Sequence, residues 1–278
     1  MTAPTPTPTP PPPYGYVSPI PVRRAHLGDA LASEWTKIRS VRSTMWTLGT
    51  MVLLMLVIGL GVAAVAASEG GSMGEDSALP LGFFGMLPAS ICVITLGVLT
   101  ISSEYGTGMI RTTLTACPSR SRVLTAKAIV FFLLVFTVTL VVAFAVATAQ
   151  VAMVDAAEPT GAEWARATVG AAGFLAVLGL LSMAVGALVR HSAGAITVMI
   201  GLLLLPLVAA LFMLAPGLKG IQEALFTYAI PSQMIALYAA EPPFGDSGPA
   251  GWEALFTLTG IAVVAMGAAY ALLNSRDV

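Results

Sequence analysis

The sequence predicts an all-α integral membrane protein with six transmembrane helices. Three observations carry this: six uncharged apolar stretches, short connecting segments that alternate in charge sign, and a composition far from that of a soluble domain. Hydrophobic residues make up 57% and charged residues 10% of the 278, where a soluble domain averages about 25% charged. Mean hydropathy is +0.88. A stretch of roughly 20 apolar residues wound as a helix matches the ~30 Å hydrocarbon core of a bilayer. The stretches fall at 45–67, 81–101, 128–154, 167–189, 192–215 and 254–273.

The orientation follows from the loops. Eleven of the thirteen basic residues fall on one side of the six spans, leaving Arg166 and Lys219 on the other. The basic side is expected in the cytoplasm, which puts both termini inside and the acidic segments, such as Glu69, Glu75 and Asp155, outside. Residues 1–22 are a Thr-Pro and poly-Pro tract that reads as a disordered tail in polyproline II conformation. They do not form a signal peptide pattern. The transmembrane domain then occupies 23–278. The uncharged segment 224–240 is short and holds Pro231. A seventh crossing there would reverse the charge balance at the C-terminus. It reads instead as a broken, re-entrant segment between spans five and six, placing Tyr228, Tyr238 and Trp252 near the interface.

Two segments stand out on the basic side. In 27–44, Leu27, Leu31, Trp35, Ile38, Val41 and Met45 fall within an arc of about 120° at helical spacing, with Ser33, Thr36, Arg39 and Ser40 largely opposite. This is an amphipathic helix on the inner membrane face, anchored to lipid by basic residues including Lys37, Arg39 and Arg42. Glu34 lies within the apolar arc, so a partner is implied: Lys37 locally, or Arg111, Arg120 or Arg122 from the next basic loop. That loop, 103–127, is the longest on this side. A short helix from about Thr107, capped by that hydroxyl and ended before Pro118, shows Met109, Ile110, Thr113 and Leu114 on one side. Exposed apolar residues in a basic loop read as a docking surface, against the plainer reading of a positive-inside loop.

These residues carry a resemblance. Ser33-Glu34-Trp35-Thr36-Lys37 with Arg39 and Arg42, and Glu104-Tyr105 followed by Gly108-Met109-Ile110-Arg111-Thr112-Thr113-Leu114, Pro118, Arg120 and Ala126-Lys127, are similar to the permease subunits of type-2 ABC exporters of the actinobacterial type. The resemblance implies six helices per subunit in a bacterial cell membrane, paired with a second permease copy or homologue. It also implies separate cytoplasmic ABC ATPase subunits that handle ATP and magnesium. The pre-span helix would pack on a coupling helix in the loop after span two, with Glu104, Met109, Ile110, Arg111, Leu114 and Arg120 as the coupling interface. Thr95, Gly97 and Thr100 in span two and Thr197 and Gly201 in span five are candidates for lining a path. Small and hydroxylic residues at those places serve helix packing equally well. The Pro-rich tail lies outside the family pattern.

The missing chemistry narrows the reading. A phosphate-cradling P-loop needs Gly-Lys followed by Ser or Thr, and none of Lys37, Lys127 or Lys219 follows a glycine. ATP is therefore expected on another chain. Gly70-Gly71-Ser72-Met73-Gly74 matches a nucleophile elbow, but His26 and His191 are expected across the membrane from Ser72. With only two histidines and two cysteines, neither a metal site nor a structural disulfide is expected. The net charge of −1 argues against a nucleic-acid binder. No charged residue lies deep in a span, as an ion-coupled carrier would require. The reading is a permease that forms the path for an amphiphilic substrate and also contacts membrane lipid. Its rivals are a non-transporting scaffold or sensor subunit, and an intramembrane enzyme disfavoured by the missing catalytic pairs. Single cysteines at Ser72, Ser247 and Ser119, in a background lacking Cys92 and Cys117, should label from outside, outside and inside; outside labelling at 119 would sink the orientation.

Overall fold

The computed structural model describes residues 26–69, 77–116, 119–213, 215–243 and 248–275. The predicted tail, the Gly-rich match at 70–74 and Arg276 lie outside these residues. Eleven α-helices occur among the described residues: α1 Leu27–Ser40, α2 Arg42–Ser68, α3 Gly82–Gly106, α4 Met109–Ala116, α5 Arg120–Met153, α6 Gly161–Ala165, α7 Ala171–Val189, α8 Ser192–Phe212, α9 Lys219–Tyr228, α10 Ile230–Tyr238 and α11 Trp252–Ser275. A 3₁₀ turn at Leu79–Leu81 leads into α3, and a π turn at Arg166–Gly170 joins α6 to α7. No strand occurs among the described residues. Six helical segments there are long and apolar enough to cross a membrane: Arg42–Ser68, Leu79–Gly106, Arg120–Met153, Gly161–Val189, Ser192–Phe212 and Trp252–Leu273.

Two of these run well past the apolar stretches that announce them. The second continues to Gly106 and the third begins at Arg120, where hydropathy placed the edges at 101 and 128. Hydropathy stops at the first charged residue, but a helix stops only where its backbone is broken. Pro118 is the first such breaker upstream of α5. At 1.5 Å per residue the 34 residues of α5 reach about 51 Å, well beyond the hydrocarbon core. The expected long loop between spans two and three therefore holds α4, entered from α3 by a tight turn. Gly108, at φ 73°, adopts the left-handed conformation that reverses the chain from α3 into α4. The Thr107 hydroxyl does not cap α4 as expected; it donates to the Ser103 carbonyl at 2.8 Å and closes α3.

The pre-span helix also differs. The amphipathic segment breaks at Val41, in extended conformation, so α1 ends at Ser40 and α2 begins at Arg42. No proline or glycine stands at this bend; its cause is tertiary, since α1 packs against α5 as well as α2. Between spans five and six, α9 and α10 meet at Ala229 with Pro231 in the first turn of α10. Within α9 no residue is buried, whereas Pro231, Ser232, Gln233, Met234, Ala236 and Leu237 of α10 are. Tyr238 turns inward, its hydroxyl 3.8 Å from Met86 Sδ, while Tyr228 is exposed.

The centre of the bundle is α7, which packs against α3, α5, α8 and α11. Phe174, Leu175, Leu178 and Met183 of α7 join Met86 and Ile94 of α3 and Phe131 of α5 in the fully buried core. The outer helices α2, α8 and α11 present Leu53, Val57, Leu205, Phe212, Val263 and Val264 outward, an apolar surface suited to lipid rather than water. Glycines permit the closest crossings. A Cβ at Gly97 of α3 would strike the Gly179 carbonyl oxygen of α7 and lie 3.0 Å from Ser182 Cβ; one at Gly85 would lie 2.8 Å from the Met55 carbonyl oxygen of α2. By contrast, nothing lies within 4 Å of a Cβ at Gly201 in α8. Overpacking a close crossing typically costs about 1–3 kcal/mol. Gly97→Val should therefore lower the thermal stability of the detergent-purified protein, followed by size-exclusion after heating, while Gly201→Val should leave it unchanged.

Candidate functional site: a buried charge network at the basic end

Four charged side chains converge where α1, α3 and α5 meet. Lys37 Nζ donates to Glu34 Oε1 at 2.8 Å and to Glu104 Oε1 at 2.9 Å. Lys127 Nζ donates to Glu34 Oε2 at 2.6 Å and to Glu104 Oε1 at 2.9 Å. Side-chain exposure is 3% for Lys127, 5% for Glu34, 7% for Glu104 and 27% for Lys37, so three of the four are removed from water. Lys37 also reaches Thr113 Oγ1 of α4 at 3.4 Å. Each charge owes its place to helical spacing. Glu34 and Lys37 share a face of α1 at i and i+3, Glu104 sits in the last turn of α3, and Lys127 lies about two turns into α5.

Two carboxylates and two ammonium groups make a neutral cluster, the condition under which buried charges are tolerated. Burial by itself would lower the Lys37 ammonium, but hydrogen bonds to Glu34 and Glu104 and the charge of both outweigh it and hold the group above its ordinary value of 10.5. That stabilisation is complete below the ordinary lysine value and is lost only as pH rises through the still higher folded value. The contribution of Lys37 to the cluster is therefore present throughout the physiological range.

The implied partner for Glu34 is here, with one correction. Beside Lys37, Lys127 reaches Glu34, a cation that the expected set of Arg111, Arg120 and Arg122 did not include. Arg120 donates through Nη1 to the Leu273 carbonyl at 2.8 Å, tying α5 to the end of α11. The sequence places Lys127 among the loop charges and in the Ala126-Lys127 motif but not opposite Glu34, because hydropathy begins the third span after it. The available signal was its position one residue before a long apolar run with no breaker between Pro118 and itself.

The other expected residues separate by exposure. The buried face of α1 is centred on Glu34 and Ile38, leaving Trp35, Leu27, Val41, Arg39 and Arg42 outward. Met109 of α4 is 47% exposed, but Ile110 is only 6% exposed and turns into the bundle, so it is not part of an exposed apolar surface as expected. The side chains of Arg111 and Leu114 lie outside the described residues. Among the candidates for a path, Gly97 is buried in the contact of α3 with α7, a packing position. The Thr95 hydroxyl donates to the Ile91 carbonyl and that of Thr197 to the Ala193 carbonyl. Thr197 is exposed, Gly201 half-buried, and Thr100 borders a cavity of about 370 Å³ beside the charge network. No group of three or more metal-ligating side chains occurs among the described residues.

Further contacts latch the same end. Arg190, in the left-handed conformation at the end of α7, places its guanidinium 5.1 Å from the Tyr105 ring centre of α3, a cation–π geometry. Thr125 and Tyr270 share a hydrogen bond of 2.7 Å between α5 and α11. Removing one member of a buried ion network leaves its partners unpaired, at about 3–5 kcal/mol. Lys127→Met should lower thermal stability accordingly, and Arg39→Gln on the exposed face should change little.

The profile of the ABC-2 family transporter protein matches residues 30–190, from within α1 to the end of α7. No curated protein matches the chain. The matched region contains all four residues of the charge network and four of the six spans. A match over more than half of the 278 residues, on a six-span helical architecture, shows that the chain belongs to the ABC-2 family of transporter proteins.

Proposed function

We propose that this permease forms, with a second copy or a homologue, the path by which an amphiphilic substrate is exported across a bacterial cell membrane, driven by separate ATPase subunits on its basic, cytoplasmic end. The observation that carries the reading is the buried network of Glu34, Lys37, Glu104 and Lys127. It fastens the interfacial helix α1 to the ends of two spans, and Lys37 extends it to α4. A push on α1 or α4 from a cytoplasmic subunit is thereby passed to α3 and α5 as a rigid-body movement instead of dissipating in a loop. In this reading α4 is the coupling helix, with exposed Met109 at its contact surface, and the α9–α10 pair is the re-entrant element on the opposite side. The family membership supports an ATPase partner. The lack of Gly-Lys at any of the three lysines leaves ATP and magnesium to that partner.

The purified chain should hydrolyse no ATP alone and should co-purify with an ATPase subunit when the two are expressed together. Met109→Asp places a charge in an apolar contact, and each 1.4 kcal/mol lost lowers affinity about tenfold. Assembly and substrate-stimulated hydrolysis should fall by that order while membrane insertion is unchanged. Full stimulation in this variant would remove Met109 from the contact. An assembled complex that moves no amphiphile would favour the scaffold reading.

A further inference from the structure

We propose that a single structural water sits where α3, α5 and α10 meet, at the end of the bundle opposite the charge network, and joins α10 to α5. The cavity there is walled by Gly82 and Gly85 of α3, Ala143, Ala147 and Gln150 of α5 and Tyr238 of α10, among others. Its volume is about 10 Å³, close to what one water needs and too small for a larger ligand. Gln150 is fully buried, and its amide is held in one orientation. Nε2 donates to the Gly59 carbonyl of α2 at 3.1 Å, so a flipped amide would set oxygen against oxygen. Oε1 therefore lies on the side of Gly82, where it accepts no hydrogen bond from the described residues. A buried carbonyl oxygen left in that condition is costly.

Gly82 marks the position of the donor that this oxygen lacks. A Cβ there would lie 3.2 Å from Tyr238 Oη and 3.7 Å from Gln150 Oε1, so two oxygens from different helices converge on the space the glycine leaves open. The backbone does not itself require glycine, since φ −58° and ψ −25° are ordinary helical values. The Tyr238 hydroxyl aims its proton at Met86 Sδ, 3.8 Å away, which leaves its lone pairs to accept. Two acceptors facing one small space call for a molecule with two protons to give. A water donates one to Gln150 Oε1 and the other to Tyr238 Oη, the minimum of two polar partners that holds a buried water. A divalent cation would seek about six oxygens, and the side chains of the wall offer only these two, the rest being apolar. The water completes a polar chain from Gly59 of α2 through Gln150 of α5 to Tyr238 of α10, which seats α10 against the bundle.

The test needs only the full chain reconstituted in lipid, so it succeeds or fails independently of the ATPase and of any substrate. X-ray irradiation splits a bound water into hydroxyl radicals, which oxidise the side chains beside it, and mass spectrometry reads the methionine sulfoxides. Met55 lines the cavity and Met86 adjoins Tyr238, whereas Met183 and Met199 are likewise buried but outside its wall. Oxidation of Met55 and Met86 should exceed that of Met183 and Met199 by at least about fivefold. In Gly82→Ala the added methyl takes the place of the water, and the ratio should fall to about one. In Tyr238→Phe the water loses one of its two partners, and the ratio should fall at least about twofold. If Gly82→Ala loosens the core, Met183 and Met199 become oxidised in it, and Tyr238→Phe alone decides. Equal oxidation of the four methionines in the unmodified protein would overturn the proposal, as would a ratio unchanged in Tyr238→Phe or, with the core still protected, in Gly82→Ala.

Discussion

A charge taken out of water must be matched where it lands, and that constraint organises the basic end of this permease. Glu34 would be unwelcome on the inner face of α1 and Lys127 equally so inside α5. Each is tolerated because the other is there, with Glu104 and Lys37 completing a neutral cluster. Such a cluster adds little net stability over an apolar replacement, since desolvation offsets most of the Coulomb attraction. Its effect is on specificity. Only one docking of α1 on α3 and α5 pairs all four groups, so the network sets the position of this pre-span helix more narrowly than Ile38 and Leu31 would by apolar contact alone.

The remainder of the bundle supplies a body stiff enough for that position to matter. The central helix α7 lets Gly97 and Gly179 bring two backbones into contact and is filled elsewhere by Phe174, Leu178 and Met183. In a bilayer helix association depends on this closeness, because lipid is as apolar as leucine and burial alone drives nothing together. The outer helices α2, α8 and α11 bury far less of themselves. One end of the bundle is joined by polar contacts: the charge network, Arg120 to the Leu273 carbonyl, Thr125 to Tyr270, and Arg190 over Tyr105. In the proposed transporter that latched end is the one on which an ATPase acts, and the cavity bordered by Glu104 lies beside it.

Six spans, the alternation of basic and acidic loops, a helix before the first span and the oddity of Glu34 within it were all legible in the sequence. Hydropathy, helical spacing and the cost of a charge on an apolar face are local properties, and each residue reports them without its neighbours in space. The break between α9 and α10 was legible for the same reason, since Pro231 disturbs a helix wherever it sits.

What closes the network was decided elsewhere. Lys127 and Glu34 are 93 positions apart, and no periodicity relates them; only the approach of α1 to α5 does. The bend at Val41 and the inward turn of Ile110 share that origin. A helix runs on past its apolar stretch when tertiary pairing removes the penalty for its charges, and a residue on an amphipathic face turns inward or outward according to which neighbour covers it. The amino-acid sequence determined that this chain spans a membrane and that Glu34 needs a cation, because both follow from transfer free energies of individual groups. Which cation answers it, and that a cavity is left beside the pair, depended on helices meeting at distances that only the folded bundle sets.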